Sequence, residues 1–404
     1  MARKIGVALV GTGNIALMHV LGYRNFPIAE IRALCDKNLA RAKAFRKEAN
    51  LPISTKIYKN STECVQDDTV DLVEVLTPHS THEAISVEAC EAGKHVSVQK
   101  SPAVTLSSYD RMVAAARKAG VRFRVYEHYR YHPPYVFAIE QIRKGVIGSF
   151  GSINMRQYAT GGAVSDYRGN KLGSPFYSFN WRYKEEENHG ASTMFDDGYH
   201  RSSVIQAFLG DVPKNSEPIT AVRAWVNWQE LGNNFKMDMP AVVIYETKKA
   251  DVYGTWNVSY SRFMPFHSNC FPVDEFIEIS GSKGIIIING CMGNLFVGCE
   301  CGGPGKPGVY WFSRDEEDRN KAPFPEAGTW KSNCSMETDI SHSFINCTQH
   351  FASMVAKDEK FDENDPRLIG SEQGRHLLKI NLAAIRSMRS DGARALIKDI
   401  QDGP

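Results

Sequence analysis

Gly11-Thr12-Gly13-Asn14-Ile15-Ala16 is the first place in the chain where residue type and spacing point to chemistry. A short apolar run, Ile5 to Val10, leads into it, and helical spacing follows from Asn14. In that setting Gly11 permits a tight turn and Gly13 lets the backbone approach a pyrophosphate. Ala16 lets helix and strand pack closely, and the first turn, with Asn14 and Ile15, offers unpaired N–H groups to an anion. Asp36 stands twenty residues beyond Ala16, at the end of the next strand. Its carboxylate can accept hydrogen bonds from ribose hydroxyls and would repel a 2′-phosphate, so the pattern predicts NAD rather than NADP. Lys37 beside it softens that preference.

Hydride removal from a carbinol carbon needs a proton acceptor near the oxygen and a cation for the developing alkoxide. Two segments supply such groups. In Gln99-Lys100-Ser101-Pro102 a lysine follows a predicted strand, and ligands of doubly wound sheets bind at strand carboxyl ends. In Asp196-Asp197-Gly198-Tyr199-His200 an acid and an imidazole stand four residues apart, which on a helix puts them in one row. That spacing predicts a relay in which Asp196 orients and charges His200. Taken singly, the lysine also reads as a solvated turn residue and the Asp–His pair as a surface ion pair.

The elements that must position these groups fall into two textures. Strands at Glu30–Cys35, Asp71–Thr77, His95–Gln99 and Arg122–Tyr126 alternate with helices at Leu39–Ala49, His82–Ala92 and Leu106–Ala119. Such alternation implies βαβ units, and the right-handed crossover rule gives a doubly wound parallel sheet of Rossmann type. Pro133-Pro134 opens a helix through Lys144 that leads into a second domain. From Phe150 onward SINMRQYAT, AVVIYETK, DVYGTWNVSY, FIEISGS and GIIIIN are β-rich, and Ser371 to Met388 returns to helical spacing. The expected fold is therefore α/β: a Rossmann domain over 1–130, then an α+β domain over 131–404 with a large, mostly antiparallel open sheet.

Composition narrows the partners. The 404 residues carry 48 basic and 46 acidic side chains, a balance that gives no reason to expect nucleic acid or an anionic membrane surface. The N-terminal apolar run is short and ends in the glycine turn, and no stretch has the length of a membrane span. Nine cysteines are scattered over the chain, an odd number without a framework, which points to a reducing, cytoplasmic setting. Cys299 and Cys301, near Cys291, lack the second pair that a zinc site needs, so no metal is expected.

Taken together, these motifs resemble those of the glucose-fructose oxidoreductase/inositol dehydrogenase family, often called Gfo/Idh/MocA. The resemblance rests on Gly11 to Ala16, Thr77-Pro78-His79-Ser80-Thr81-His82, Gln99-Lys100-Ser101-Pro102 and Arg130-Tyr131-His132-Pro133. It extends to Gly145-Val146-Ile147-Gly148, Asp196 through His200, and the last helix with Ala383 to Met388. Order and spacing agree over most of the chain. Gln99 stands where the family has glutamate, and Ser101 is inserted before Pro102.

The resemblance implies a Lys–Asp–His constellation. Lys100 would contact the reacting hydroxyl, His200 would be the general base, and Asp196 would bind a neighbouring hydroxyl or orient the base. Thr77, Pro78, His79, His82, Gln99 and Lys100 itself would join the glycine loop around NAD. Tyr129, Arg130, Tyr158, Trp181, Arg182 and Asp197 would complete a substrate pocket, aromatic faces suiting a sugar ring. The implied substrate is a sugar, glycoside or cyclitol with a secondary hydroxyl, and the 3-position of a glucosyl unit is the specific expectation. The long Tyr158–Asn188 segment reads as a recognition loop, and a sheet with few covering helices predicts a homo-oligomer, dimer, tetramer or larger. Three alternatives stay open: a glycosidase that oxidises its sugar transiently, a non-catalytic NAD sensor, and a dehydrogenase for an unrelated substrate.

Overall fold

A computed structural model describes residues 4–160, 180–209, 218–232, 235–261, 273–289, 307–314, 330–362 and 365–404. Most of the expected recognition loop, along with Cys270, Cys291, Cys299, Cys301 and most of the Gly/Pro-rich and charged loops after residue 301, lies outside them.

The first sheet contains β1 (Ile5–Val10), β2 (Ala29–Cys35), β3 (Lys56–Tyr58), β4 (Leu72–Val75), β5 (His95–Gln99) and β6 (Phe123–Tyr126). All its pairings are parallel, and the order is β3-β2-β1-β4-β5-β6. Strands such as IGVALV are apolar almost throughout because helices cover both faces of the sheet. The crossovers are α1 (Asn14–Tyr23), α2 (Leu39–Glu48), α3 (Ser61–Val65), α4 (His82–Glu91) and α5 (Leu106–Ala119). Asn38 caps α2 by accepting from Arg41 N–H, Thr105 caps α5 by accepting from Ser108 N–H, and α5 stops at left-handed Gly120.

α6 (Pro133–Arg143), with proline at its start, leads to the second sheet, as the sequence predicts. That sheet holds β7 (Phe150–Thr160), β8 (Ala221–Val226), β11 (Ala241–Glu246), β12 (Tyr253–Ser261), β13 (Val273–Gly281), β14 (Gly284–Asn289), β15 (Gly308–Ser313), β16 (Lys331–Asn333) and β17 (Ala395–Leu396). β9 (Gln229–Gly232) and β10 (Phe235–Met237) pair with each other as a separate ribbon. The nine-stranded order is β16-β15-β14-β13-β7-β12-β11-β8-β17, antiparallel except for β7 beside β12. α7 (Glu185–Asn188) is a short turn, and α8 (Gly198–Leu209) is buried at every residue against the inner face of this sheet.

Two C-terminal helices tie the halves together. α10 (Ser371–Arg389) matches the expected last helix and packs on α8 and α5. α9 (Ser341–Ala356) was not anticipated, because polar residues interrupt its apolar stripe. It returns to lie along α1. Arg124 donates to Cys347 O at 2.8 Å and Tyr126 hydroxyl to Phe344 O at 3.1 Å, so this late segment seals the first sheet. Among the described residues no helix is long and apolar enough to cross a membrane.

Candidate active site

One cavity of about 870 Å³ runs along the carboxyl ends of the first sheet to the foot of α8. At its first end the glycine turn behaves as the motif requires. Gly11 has φ +103°, and a Cβ there would lie 2.7 Å from Leu76 O, so only glycine fits. A Cβ on Gly13 would meet nothing within 4 Å among the described residues, so the space they leave in front of this backbone is open. Among the described residues no side chain caps α1, so the positive end of the helix faces this space. Asn14 and Ile15 line the same space.

Asp36 closes this end. Its carboxylate accepts from Thr12 Oγ1 (2.7 Å), Thr12 N (3.1 Å), Asn38 N (2.8 Å), Arg41 Nε (3.0 Å) and Arg41 Nη2 (2.8 Å). Burial works to raise its pKa, and the bonds from Arg41, Asn38 and Thr12 outweigh burial and hold it below the usual value. An open backbone cradle at a helix N-terminus and an ionised carboxylate fit a dinucleotide.

At the other end Lys100 leaves β5 and donates to Asp196 Oδ1 at 2.6 Å and to Asp196 O at 3.0 Å. An ammonium has three donors, so one remains for a ligand in the cavity that Lys100 lines. Arg182 Nε lies 2.6 Å from Asp196 Oδ2. Burial pushes the Asp196 carboxyl up, but Arg182 and Lys100 overcome it and hold the carboxyl far below the ordinary range. The carbonyls of Phe195 and Asp196 are available because Ser192–Asp197 forms one wide π-helical turn before α8. Ser101 Oγ and Asn381 Nδ2 donate to Phe195 O at 2.9 and 2.6 Å. The inserted Ser101 thus anchors the loop that carries Lys100.

The expected Asp196–His200 relay does not form. The wide turn breaks the regular four-residue row, and Asp196 faces Lys100 and Arg182 instead. His200 Nδ1 lies within hydrogen-bond distance of both Glu127 oxygens, each at 2.8 Å. Glu127, just beyond β6, is 1% exposed. Sequence reasoning passed over it, although its place at a strand carboxyl end was the available signal. The His128 ring lies parallel to His200, with centroids 4.9 Å apart. Glu127, His128 and His200 cluster closely enough to suggest a metal site. Parallel imidazole planes do not converge on one ion, however, since each ring binds metal in its own plane.

The other expected site residues divide by placement. Thr77, Pro78, His79, Gln99, Tyr129, Trp181, Arg182, Asp197 and His200 line the cavity. Gln99 donates to His19 Nε2 (2.7 Å) and accepts from Lys100 N (3.1 Å), while His19 Nδ1 bonds buried Glu74. His79 Nε2 accepts from Ser101 N at 3.1 Å, and its ring meets Trp181 edge-on at 4.9 Å. Ser80 donates to Glu187 from its N (2.9 Å) and its Oγ (2.7 Å), tying the 180–188 segment to the Thr77–His82 loop.

Three expected contacts lie elsewhere. His82 sits behind the loop, bonded to Thr77 O and Pro102 O. Arg130 is buried against Ser203 and Pro366 O, where its guanidinium joins α8 to the C-terminal segment. Tyr158 falls on the opposite face of β7 from cavity-lining Gln157, because side chains alternate along a strand.

Residues 5–127 match a family profile described as oxidoreductase family, NAD-binding Rossmann fold. The chain is 25% identical over 286 residues to D-apiose dehydrogenase of Paraburkholderia graminis, covering 70% of this chain and 67% of that protein. It is 28% identical over 172 residues to an alpha-N-acetylgalactosaminidase of Bacteroides fragilis, covering 41% of this chain and 38% of the relative. In fold it is similar to a levoglucosan dehydrogenase solved with NADH and levoglucosan, with TM-score 0.74 and 16% identity over 98% of this chain and 100% of that one. It is also similar to an Agrobacterium radiobacter oxidoreductase solved with NAD+, L-tartaric acid and magnesium, with TM-score 0.73 and 17% identity over 99% and 100% of the two chains.

Proposed function

We propose that this chain, whose residues 5–127 match the Gfo/Idh/MocA oxidoreductase model with its NAD-binding Rossmann fold, oxidises a secondary hydroxyl of a sugar, glycoside or cyclitol to a ketone. The observation that carries this reading is the pairing of Lys100 with Asp196 in the same cavity as His200 and the Gly11–Gly13 turn. Bound NAD+ supplies the hydride acceptor. The glycine turn and the start of α1 would hold its phosphates, and Asp36 would hold its adenine ribose once Arg41 shares the carboxylate. Lys100, fixed by Asp196, donates to the reacting oxygen and stabilises negative charge there. His200 takes the hydroxyl proton at its cavity-side nitrogen. Arg182, Asp197, Tyr129 and Trp181 are placed to grip neighbouring hydroxyls and a ring face.

D-apiose dehydrogenase and levoglucosan dehydrogenase among the similar proteins support a carbohydrate substrate. The 3-position of a glucosyl unit is the specific candidate. A redox-cycling glycosidase is the second reading, favoured by the galactosaminidase likeness. Buried free thiols at Cys35, Cys64, Cys90 and Cys347 suit a cytoplasmic location. The test is turnover of free sugars, inositols and aryl glycosides with NAD+. A dehydrogenase accumulates NADH, whereas a redox-cycling glycosidase releases aglycone without net NADH.

A further inference from the structure

We infer that Glu127 sets which nitrogen of His200 carries the proton, and so decides whether the base accepts a proton from the substrate or donates one to it. The inference deepens the dehydrogenase reading and rests on it for its catalytic consequence. Both Glu127 oxygens lie 2.8 Å from His200 Nδ1, which leaves Nε2 as the ring nitrogen available to the cavity. When Glu127 is a carboxylate, Nδ1 carries the ring proton and the Nε2 lone pair is free to accept. When Glu127 holds a proton it donates to Nδ1, and the ring proton moves to Nε2, which then donates. One proton on the pair therefore inverts the polarity of the group facing the substrate.

The surroundings put this change in a useful range. Burial raises the Glu127 carboxyl to about 7, against the opposing pull of the Tyr129 N–H, Lys100, Arg130 and Arg201. Burial also pushes His200 well below its ordinary value, and Lys100, His128, Arg201 and Arg182 push the same way. A lasting imidazolium is therefore disfavoured. Arg201 is itself paired with Glu275 and donates to Tyr129 hydroxyl at 3.2 Å, and Lys100 is paired with Asp196.

Proton and electron accounts balance. In oxidation the carbinol C–H bond breaks with its electron pair leaving to NAD+, and the O–H proton goes to Nε2. The Nδ1 proton moves to Glu127; when Nε2 later gives its proton to solvent through the cavity, the Glu127 proton returns to Nδ1 and the pair is reset. Reduction runs these transfers backwards, so oxidation should strengthen and reduction weaken as pH rises through about 7. Glu127 is a positioning residue, acting through His200.

Glu127→Gln keeps the shape and can bond Nδ1, but it cannot exchange the proton. It should lower kcat for oxidation by about a hundredfold, remove the opposite pH limbs, and leave NADH binding unchanged by fluorescence titration. Glu127→Asp should recover part of both. Nitrogen-15 NMR of labelled histidine in the NADH-loaded protein reads the same claim without any substrate. The wild type should convert between the two His200 tautomers near pH 7, and Glu127→Gln should hold one tautomer throughout. A wild-type His200 that keeps one tautomer from pH 5 to 9 would overturn the inference, as would Glu127→Gln turnover within threefold of wild type with both limbs intact. A protein that shows the tautomer change but turns over no carbohydrate would instead contradict the dehydrogenase reading alone.

Discussion

At the residue scale the proposed chemistry rests on Lys100, whose ammonium is held at 2.6 Å by a carboxylate that two cations keep ionised. Lys100→Ala should lower kcat by about 10²–10⁴, the range for losing a proton-transfer or charge-stabilising group, with NADH affinity changed little. Stopped-flow turnover beside fluorescence titration checks this. Asp196 has its folded pKa depressed, so the charge and the stability it contributes are present above the unfolded carboxyl value and are lost only as pH falls through the folded one. The site should therefore show no activity limb from Asp196 between pH 5 and 9. At this scale the sequence was legible for Lys100, Asp196 and His200 as side chains that the fold brings to one cavity. It was not legible for their partners: regular helical spacing joined Asp196 to His200, and a wide turn joined Asp196 to Lys100 and left His200 to Glu127. A one-dimensional pattern cannot carry a pairing between residues 127 and 200 that only the packing of α8 against the end of β6 creates.

The glycine turn between β1 and α1 belongs to the element scale, and its two glycines serve different purposes. Gly11→Ala forces a side chain into positive φ and into Leu76 O, at a cost of about 1–3 kcal/mol, so the melting temperature should fall. Gly13→Val points its side chain into open space, so the fold should hold its melting temperature while NADH binding is lost. Calorimetry and NADH titration on the two variants distinguish folding from binding. A binding loss in Gly13→Val that came with an equal loss of stability would contradict this division. The alternating strands and helices of the first sheet were readable because each carries its own period and stop signal, such as Gly120 after α5. α9 was not, because its polar positions face Tyr126 and Arg124 and become interior only when the helix docks on the first sheet.

At the scale of the whole molecule, the second sheet covers α8 and α10 with one face and presents the other outward. Trp225 and Trp228, with Ile244 and Tyr253, lie exposed on or beside β8, β11 and β12, Trp225 being 52% exposed. Such a patch is the expected ground for self-association, and we predict a homo-oligomer built through it. Trp225→Glu with Ile244→Lys should shift the mass in multi-angle light scattering toward one chain, and a wild type that is already monomeric would refute the prediction. The sequence showed that an open sheet would exist, since its β-rich runs alternate, but the patch itself needed the pairing of Val242 with Trp225 and of Ile244 with Arg223 to become visible. The same arrangement shapes the far end of the cavity, because α8, packed on the second sheet, brings His200 to the cavity that Lys100 lines at the end of β5. That meeting is the central claim. Its most direct test is absorbance at 340 nm with purified protein, NAD+ and a panel of sugars, inositols and aryl glycosides. NADH should form with a subset of the panel and be lost in both Lys100→Ala and His200→Ala. NADH formation that survives both substitutions, or none with any carbohydrate while NAD+ is bound, would contradict the account.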